Sequence, residues 1–424
     1  MPRPHRSGSA ECSGSTRCLH TREAAMSEYK AVVHGLLIDG NGGEPVPDNV
    51  VVISGKCIEA VGRWGEVAVP DGAEVIDATG RTVMPGIIEG HAHVGGDANA
   101  QRVLRLSLQR GITTVCSVSS NIDGIRLRDD IEQGLVRGCA RVIAGCIVTC
   151  TNGHVKFRAA DGPWEVRKAV REMVMAGADF IKTAASGGFY GEYEKCASPN
   201  YTPEELTALV EEAHAWELPV VVHCHTQPGL NWCIEAGVDQ IHHGAFIDEA
   251  AVRGIAEQRL FYTPTLSVTC ERNIEGLADQ PWQTKEMKLS QPIHRAGVRL
   301  AHQLGVKLGV GTDYPGNPRS WDYGDRTLYE LQELVACGLS PMEALVAATR
   351  TNADAYGRLD ELGTIEAGKR ADLLVVSGNP AEDVGALYDA DNLNIVMKDG
   401  VVESTDEEHK QYYRMREDVT RGPR

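Results

Sequence analysis

Two histidines stand one residue apart at the end of a strongly apolar run. Residues 84–94 read Met-Pro-Gly-Ile-Ile-Glu-Gly-His-Ala-His-Val, so His91 and His93 close a stretch typical of a buried β-strand. Side chains alternate between the two faces of a strand, and these two imidazoles therefore point the same way. Neutral imidazole is the commonest protein ligand for metal ions. The pair predicts a metal site, provided that other parts of the chain supply further ligands.

Further candidate ligands stand at or near the ends of later apolar runs. They are Lys182, His223 with His225 on the same face, the pair His242-His243, and Asp313. Imidazole nitrogen and carboxylate oxygen suit Zn²⁺ and related divalent ions. Lys182 is unexpected, because an ammonium group with a pKa near ~10.4 would repel a dication. It becomes a suitable ligand if CO₂ converts its amine to an anionic carbamate.

A centre of this kind predicts hydrolysis. A bound metal ion lowers the pKa of water toward ~7 and polarises a carbonyl, and two ions ~3.5–4 Å apart can share a bridging hydroxide. Asp313 would carry the proton of the water to a leaving nitrogen. We therefore expect Asp313 and Lys182 to be catalytic residues as well as ligands.

The elements that position these residues predict an α/β fold. Residues 84–359 alternate short apolar strands with helices, the pattern of a (β/α)8 TIM-like barrel, whose active site lies at the carboxyl ends of the strands. Residues 29–83 and 360–404 contain short strands and turns, and neither segment is long enough to form its own core. We expect the two segments to form one small β-sandwich domain beside the barrel.

Three other segments carry separate predictions. Residues 1–28 have no apolar stretch and are predicted to be a disordered N-terminal extension, and residues 405–424 a charged C-terminal tail. The stretch 266–292 is predicted to be a lid over the site or an irregular connection.

Composition restricts the partners. The chain has 59 acidic and 42 basic residues and a net charge of −17, which argues against nucleic acid or an anionic membrane as the main partner. No apolar run approaches the ~20 residues of a membrane helix. The 12 cysteines include no Cys-x-x-Cys pair, which favours reduced thiols in a cytoplasmic protein. We expect a small-molecule substrate, and a homo-oligomer.

Two longer motifs carry a resemblance to a known family. They are Pro85-Gly-Ile-Ile-Glu-Gly-His-Ala-His93 and Gly363-Thr-Ile-Glu-Ala-Gly-Lys-Arg-Ala-Asp-Leu-Leu-Val-Val376. Through them the chain resembles the amidohydrolase superfamily, in its binuclear subgroup with a carboxylated lysine. Residues 181–188, 223–225 and 243–249 resemble the branch of Xaa-Pro dipeptidases, carboxypeptidases and ochratoxinase-like amidases.

The resemblance implies a ligand set and a cofactor. It implies two divalent ions, expected to be Zn²⁺, held by His91, His93 and Asp313 on one side, by His223 and His243 on the other, and by carboxylated Lys182 as the bridge.

Four further residues are candidates near this centre. His225 follows His223 by two positions and so faces the same way, which favours binding of the substrate carbonyl or its oxyanion. His154 follows an earlier strand, and the resemblance implies a substrate contact there. Tyr190 lies in the loop after Lys182 and is a candidate for lining the pocket. His242 is predicted to lie on the strand face opposite His243 and to have a structural role.

The residues leave several functions open. The main prediction is metal-dependent hydrolysis of a C–N bond in a dipeptide, an N-acyl amino acid, or a xenobiotic amide, urea or carbamate. The alternative is a mononuclear deaminase or an imidazolone-type cyclic amide hydrolase of the same superfamily. Two further possibilities are a phosphotriesterase or lactonase activity and a scaffolding homologue without activity. The complete set of candidate ligands argues against the scaffolding function.

Overall fold

The computed structural model of the protein describes residues 29–155, 157–192, 194–314 and 324–405. The predictions for the extension at residues 1–28 and for the tail beyond residue 405 fall outside these ranges. The strands are β1 (Tyr29–Val33), β2 (Leu36–Leu37), β3 (Asn49–Ser54), β4 (Cys57–Arg63), β5 (Glu74–Asp77), β6 (Arg81–Pro85), β7 (Ile87–Ala92), β8 (Ile112–Ser117), β9 (Arg141–Thr149), β10 (Arg158–Ala159), β11 (Phe180–Ala184), β12 (Val220–Cys224), β13 (Gln240–His243), β14 (Phe261–Thr263), β15 (Lys307–Leu308), β16 (Leu373–Ser377), β17 (Leu393–Lys398) and β18 (Val401–Thr405).

The helices alternate with strands β7 to β15 and then continue beyond them. They are α1 (Ala98–Gln109), α2 (Ile122–Glu132), α3 (Pro163–Ala176), α4 (Pro203–His214), α5 (Gly229–Ala236), α6 (Glu249–Gln258), α7 (Leu266–Thr269), α8 (Glu271–Gly276), α9 (Pro281–Gln303), α10 (Asp325–Ala336), α11 (Pro341–Val346), α12 (Asn352–Ala355) and α13 (Gly385–Tyr388), with a π-helical turn at Ala347–Thr351 and a 3₁₀ turn at Ala390–Asn392. Among the helices of the described chain, none combines the length and apolarity that crossing a membrane needs.

A parallel sheet forms the centre of the molecule. Its main path follows the order of the chain, β7-β8-β9-β11-β12-β13-β14-β15, and β10 pairs with β9. Strands β7, β8, β9, β11, β12 and β13 are buried along their whole length, which explains why the sequence reads as continuous apolar runs. The sheet is curled, and the prediction of a TIM-barrel-like α/β fold is confirmed at this level.

The segment after β15 joins the last strand to the first. The Gly90 N–H donates to the Val310 carbonyl at 2.9 Å, the Asp313 N–H to the His91 carbonyl at 2.8 Å, and the His93 N–H to the Tyr314 carbonyl at 3.1 Å. These hydrogen bonds place Asp313 beside the histidine pair.

Gly311 permits this close approach of the two segments. A Cβ atom at position 311 would lie 2.8 Å from the Cβ of His91 and 2.7 Å from Cγ2 of Thr263. Both separations are far below van der Waals contact, so any larger residue would force the two segments apart.

Two smaller sheets lie outside the parallel sheet. One has five strands in the order β18-β17-β16-β6-β2 and so combines strands from both ends of the described chain; the other has four, β4-β3-β1-β5. Apolar side chains of both sheets, among them Val51, Ile53, Val83, Leu373 and Met397, form one buried cluster. The β-sandwich architecture and the domain boundaries stay predictions.

The stretch 266–292 is largely helical. Helices α7 and α8 and the start of α9 lie within it, so the prediction of an irregular connection is wrong. Pro292 lies inside α9, where it removes one backbone donor without ending the helix. The 10 cysteines within the described ranges are free thiols.

Candidate metal centre

Three predicted ligands meet where β7 ends. Nε2 of His91 lies 3.2 Å from Oδ1 of Asp313, and Nε2 of His93 lies 3.0 Å from the same oxygen. One potential ligand atom from each residue lies within 4.8 Å of the other two. His91 is fully buried and His93 is partly exposed, so this group lies at the boundary between the core and the cavity.

A second group lies directly beside the first. The ring centroids of His223 and His243 are 4.4 Å apart, and that of His243 is 4.7 Å from the ring of His91. His91, His93, Lys182, His223 and Asp313 line one cavity. The structure therefore brings all six predicted ligands together.

In each histidine, the ring nitrogen that is hydrogen-bonded to the protein determines which nitrogen remains available to bind a metal ion. Nε2 of His223 lies 3.0 Å from the carbonyl of Gly187 and must donate to it, so Nδ1 keeps its lone pair. Nδ1 of His243 bonds Oγ1 of Thr265 at 2.9 Å, which leaves Nε2. Both rings therefore have one nitrogen held by the protein and one available.

Several buried nitrogens have no hydrogen-bond partner among the described residues. Those at this centre are Nε2 of His91 and of His243 and Nζ of Lys182, together with Nδ1 of the neighbouring His225. An unpaired buried polar atom costs ~1–3 kcal/mol, and a native structure rarely accumulates several in one place. The Nε2 lone pairs of His91 and His243, which converge with the carboxylate of Asp313, fit a divalent cation that would satisfy them together.

Burial also sets the charges of these groups. It lowers the pKa of His91 to about 3, assisted by Lys182, and it lowers the pKa of His223 and His243 well below the usual value. His91, His223 and His243 are therefore neutral at pH 7, which is the form that binds metal ions. Burial lowers the pKa of Lys182 to about 7. Burial opposes ionisation of Asp313, but the neighbouring histidines, led by His243, hold its pKa well below the ordinary value.

Two of the candidate ligands have unusual backbone conformations. Asp313 has a φ of 53° and His243 a φ of 75°, in the left-handed region that is uncommon outside glycine and costs ~1–3 kcal/mol. In His243 this conformation changes the direction of the side chain. Strand alternation predicts opposite faces for His242 and His243, but both ring centroids lie 4.7 Å from that of His91.

The three candidate substrate contacts lie around the same centre. The ring of His225 lies 4.6 Å from that of His223 and 5.0 Å from that of His243. His154 stacks on His223 at 3.9 Å and lines the cavity. The hydroxyl of Tyr190 lies 3.5 Å from Oδ2 of Asp313, and its side chain is partly exposed.

Sequence reasoning missed the residues that support the ligands. Glu89 is buried and accepts hydrogen bonds from the N–H groups of His91 at 2.8 Å and Thr312 at 3.0 Å, and from the hydroxyl of Thr327 at 2.6 Å. Burial raises its pKa to about 7. The signal in the sequence was that Glu89 precedes His91 by two positions in a strand, which places both side chains on the same face. Glu194, 2.7 Å from Nδ1 of His154, had no comparable signal.

Comparison with known proteins identifies the family of the chain. The model of the amidohydrolase family matches residues 82–402. Ochratoxinase from Aspergillus niger is 29% identical over 436 residues, which cover 89% of this chain and 87% of that protein. An imidazolonepropionase from Mesorhizobium japonicum is 27% identical over 405 residues, which cover 84% of this chain and 90% of that protein.

The solved structures give the same result. The crystal structure of a Xaa-Pro dipeptidase with methionine bound in its active site superimposes with a TM-score of 0.79 at 30% identity, covering 88% of this chain and 99% of that one. With the family match over residues 82–402, this shows that the chain belongs to the amidohydrolase family and is a hydrolase of carbon–nitrogen bonds.

Proposed function

We propose that the protein is a metal-dependent hydrolase of an amide-type C–N bond in a small molecule. A dipeptide, an N-acyl amino acid, or a xenobiotic amide, urea or carbamate each fits this chemistry. The observation that carries the proposal is the convergence of unpaired buried nitrogens of His91, His243 and Lys182 beside the carboxylate of Asp313. The relatives that hydrolyse such bonds, ochratoxinase and the Xaa-Pro dipeptidase, support it.

The site is proposed to hold two divalent ions, with Zn²⁺ as the expected metal. His91, His93 and Asp313 would bind one, and His223 and His243 the other. Lys182 would bridge them as a carbamate, formed when its neutral amine adds to CO₂ and releases one proton. The buried Nζ without a partner among the described residues supports this assignment, because a carbamate places two ligand oxygens where the amine has no contact.

The protein groups have separate tasks in the proposed reaction. Bound divalent ions would supply an activated water and polarise the scissile carbonyl. The carboxylate of Asp313 accepts the proton of the attacking water and returns it to the leaving nitrogen. A ring N–H of His225 donates to the oxygen that becomes negative as the carbonyl is attacked. His154 and Tyr190 orient the substrate at the rim of the cavity.

Metal content and one substitution test the proposal. Protein purified with added Zn²⁺ and bicarbonate is expected to contain close to two ions per chain by elemental analysis. Lys182→Ala is expected to lose the bridged metal and nearly all activity on dipeptides, N-acyl amino acids and aryl amides or ureas. Lys168→Ala is the matched control, because the side chain of Lys168 is 63% exposed on α3. Full activity of Lys182→Ala would overturn the carbamate assignment.

The second candidate is a mononuclear deaminase or an imidazolone-type ring hydrolase. The observation that favours it is the similarity to the imidazolonepropionase from Mesorhizobium japonicum. This function predicts one metal ion per chain, an unmodified Lys182, and release of ammonia or opening of a cyclic amide. Metal stoichiometry and an ammonia assay therefore separate the two candidates.

A further inference from the structure

A buried chain of hydrogen bonds leads away from His91, on the side opposite Asp313. Nδ1 of His91 lies 2.6 Å from Nδ1 of His242, and Nε2 of His242 lies 3.1 Å from Oε1 of Gln240. Nε2 of Gln240 donates to the carbonyl of Ala355 at 2.6 Å. His91, His242 and Gln240 are buried. We propose that His242 and Gln240 are positioning residues that fix the tautomer and orientation of His91 for metal binding.

The donor and the acceptor of each hydrogen bond can be assigned by starting from the Ala355 carbonyl at the end of the chain. The Ala355 carbonyl can only accept, so the amide nitrogen of Gln240 faces it and the amide oxygen faces His242. Nε2 of His242 must then carry a hydrogen. The neutral ring, which complete burial favours, has an acceptor at Nδ1. His91 must therefore carry its hydrogen on Nδ1, which leaves the lone pair of Nε2 facing Asp313.

This arrangement is what a ligand histidine needs. A metal-bound imidazole usually donates its other N–H to a fixed acceptor, and loss of that acceptor typically costs about 10- to 100-fold in metal affinity or activity. The acceptor here is a neutral imidazole rather than a carboxylate. The chain of hydrogen bonds from His91 through His242 and Gln240, here called the relay, also connects the candidate centre to α12. Its last acceptor, Ala355, is the final residue of that helix. The inference rests on the proposed function in that it takes His91 to be a ligand.

Two variants at one position separate hydrogen bonding from packing. His242→Asn keeps an acceptor oxygen close to the position of Nδ1, whereas His242→Leu keeps similar volume and has no acceptor. We expect His242→Leu to bind Zn²⁺ about 10- to 100-fold more weakly in a chelator-competition titration, and His242→Asn to stay within a few-fold of the wild type. Equal losses in both variants, or no loss in His242→Leu, would overturn the relay.

A second measurement needs no variant to fold. In metal-free wild-type protein labelled with ¹⁵N-histidine, long-range ¹⁵N–¹H spectra are expected to show His91 with its hydrogen on Nδ1 and His242 with its hydrogen on Nε2. The opposite tautomers would overturn the inference. Failure of the proposed metal site is recognised separately, because wild-type protein would then bind no Zn²⁺ whatever the tautomers are.

Discussion

At the residue scale, His154 makes two contacts, neither of which uses its Nε2. Its ring stacks on His223, with the centroids 3.9 Å apart, and its Nδ1 bonds Oε1 of Glu194 at 2.7 Å. Gly188 leaves room for the ring, since a Cβ at position 188 would lie 2.5 Å from Cε1 of His154. The imidazole is therefore held on two sides, with Nε2 left for a substrate in the cavity that the ring lines.

Replacement of His154 tests this role. We expect His154→Leu to lower kcat/KM by about 10- to 150-fold, which corresponds to the ~1.5–3 kcal/mol of a hydrogen bond to a charged group. The metal content should stay at the wild-type value, because His154 is outside the proposed ligand set. Steady-state kinetics and elemental analysis check both statements. Loss of metal would assign His154 to the support of the ligands, and unchanged kinetics would make it an ordinary loop histidine.

At the scale of elements, Glu330 connects α10 to the first turn of α7. Its two carboxyl oxygens accept hydrogen bonds from the backbone N–H groups of Leu266 at 2.6 Å and Ser267 at 2.7 Å. The side chain is completely buried, and burial raises its pKa to about 8. This contact holds the start of the stretch that sequence patterns predicted to be irregular or a lid.

Glu330→Gln is expected to destabilise the metal-free protein by ~1–3 kcal/mol, because the amide nitrogen of Gln would face one buried N–H without accepting from it. The loss should depend on pH. The folded protein keeps the Glu330 proton up to about pH 8, whereas the unfolded chain releases it near 4.5, so its stabilising contribution is complete below pH 4.5 and declines as pH rises to 8.

Urea unfolding of both proteins across this pH range measures the difference in the free energy of unfolding. The difference should be largest at the acidic end and should shrink toward pH 8. Other titrating groups are common to both proteins and cancel. A difference that grows with pH would contradict the assignment of Glu330 as the buried acid.

At the scale of the whole molecule, Arg141 joins the parallel sheet to the five-stranded sheet. It lies in β9, its side chain is 2% exposed, and it pairs with Asp372 and with Asp399, the latter at 2.6 Å. Asp372 precedes β16, and Asp399 lies in the turn between β17 and β18. Asp399 also contacts Arg370 at 2.9 Å. The two parts of the molecule thus share a buried charge network.

Arg141→Met should cost ~3–5 kcal/mol in the free energy of unfolding, because it leaves the carboxylate of Asp372 buried without its partner. Arg126→Met is the matched control, since Arg126 and Asp123 form an ion pair whose side chains are 73% and 66% exposed. Breaking an exposed pair of this kind costs ~0–1 kcal/mol. Urea unfolding of the metal-free proteins makes the comparison. Equal effects of the two substitutions would mean that the Arg141 network contributes little to stability.

The sequence by itself predicted the alternation of strands and helices, except for the helices within residues 266–292, and it singled out the residues of the candidate centre. His91, His93, Lys182, His223 and Asp313 could be singled out because each follows or ends an apolar run. In a parallel sheet the carboxyl ends of all strands meet at one end, so position along the chain predicts proximity in space. Local periodicity therefore predicted most of the fold and placed the candidate ligands at one end of the sheet, whereas the choice among those candidates came from the family resemblance.

Only the tertiary structure decided which nitrogen of each ring is available. That choice depends on partners far away in the chain: His242 is 151 residues from His91, and Thr265 is 22 residues from His243. Strand alternation placed the His243 side chain opposite that of His242, but a left-handed backbone brings both rings to His91. The physical reason is that hydrogen bonds and backbone strain arise from three-dimensional packing, which residue spacing does not encode.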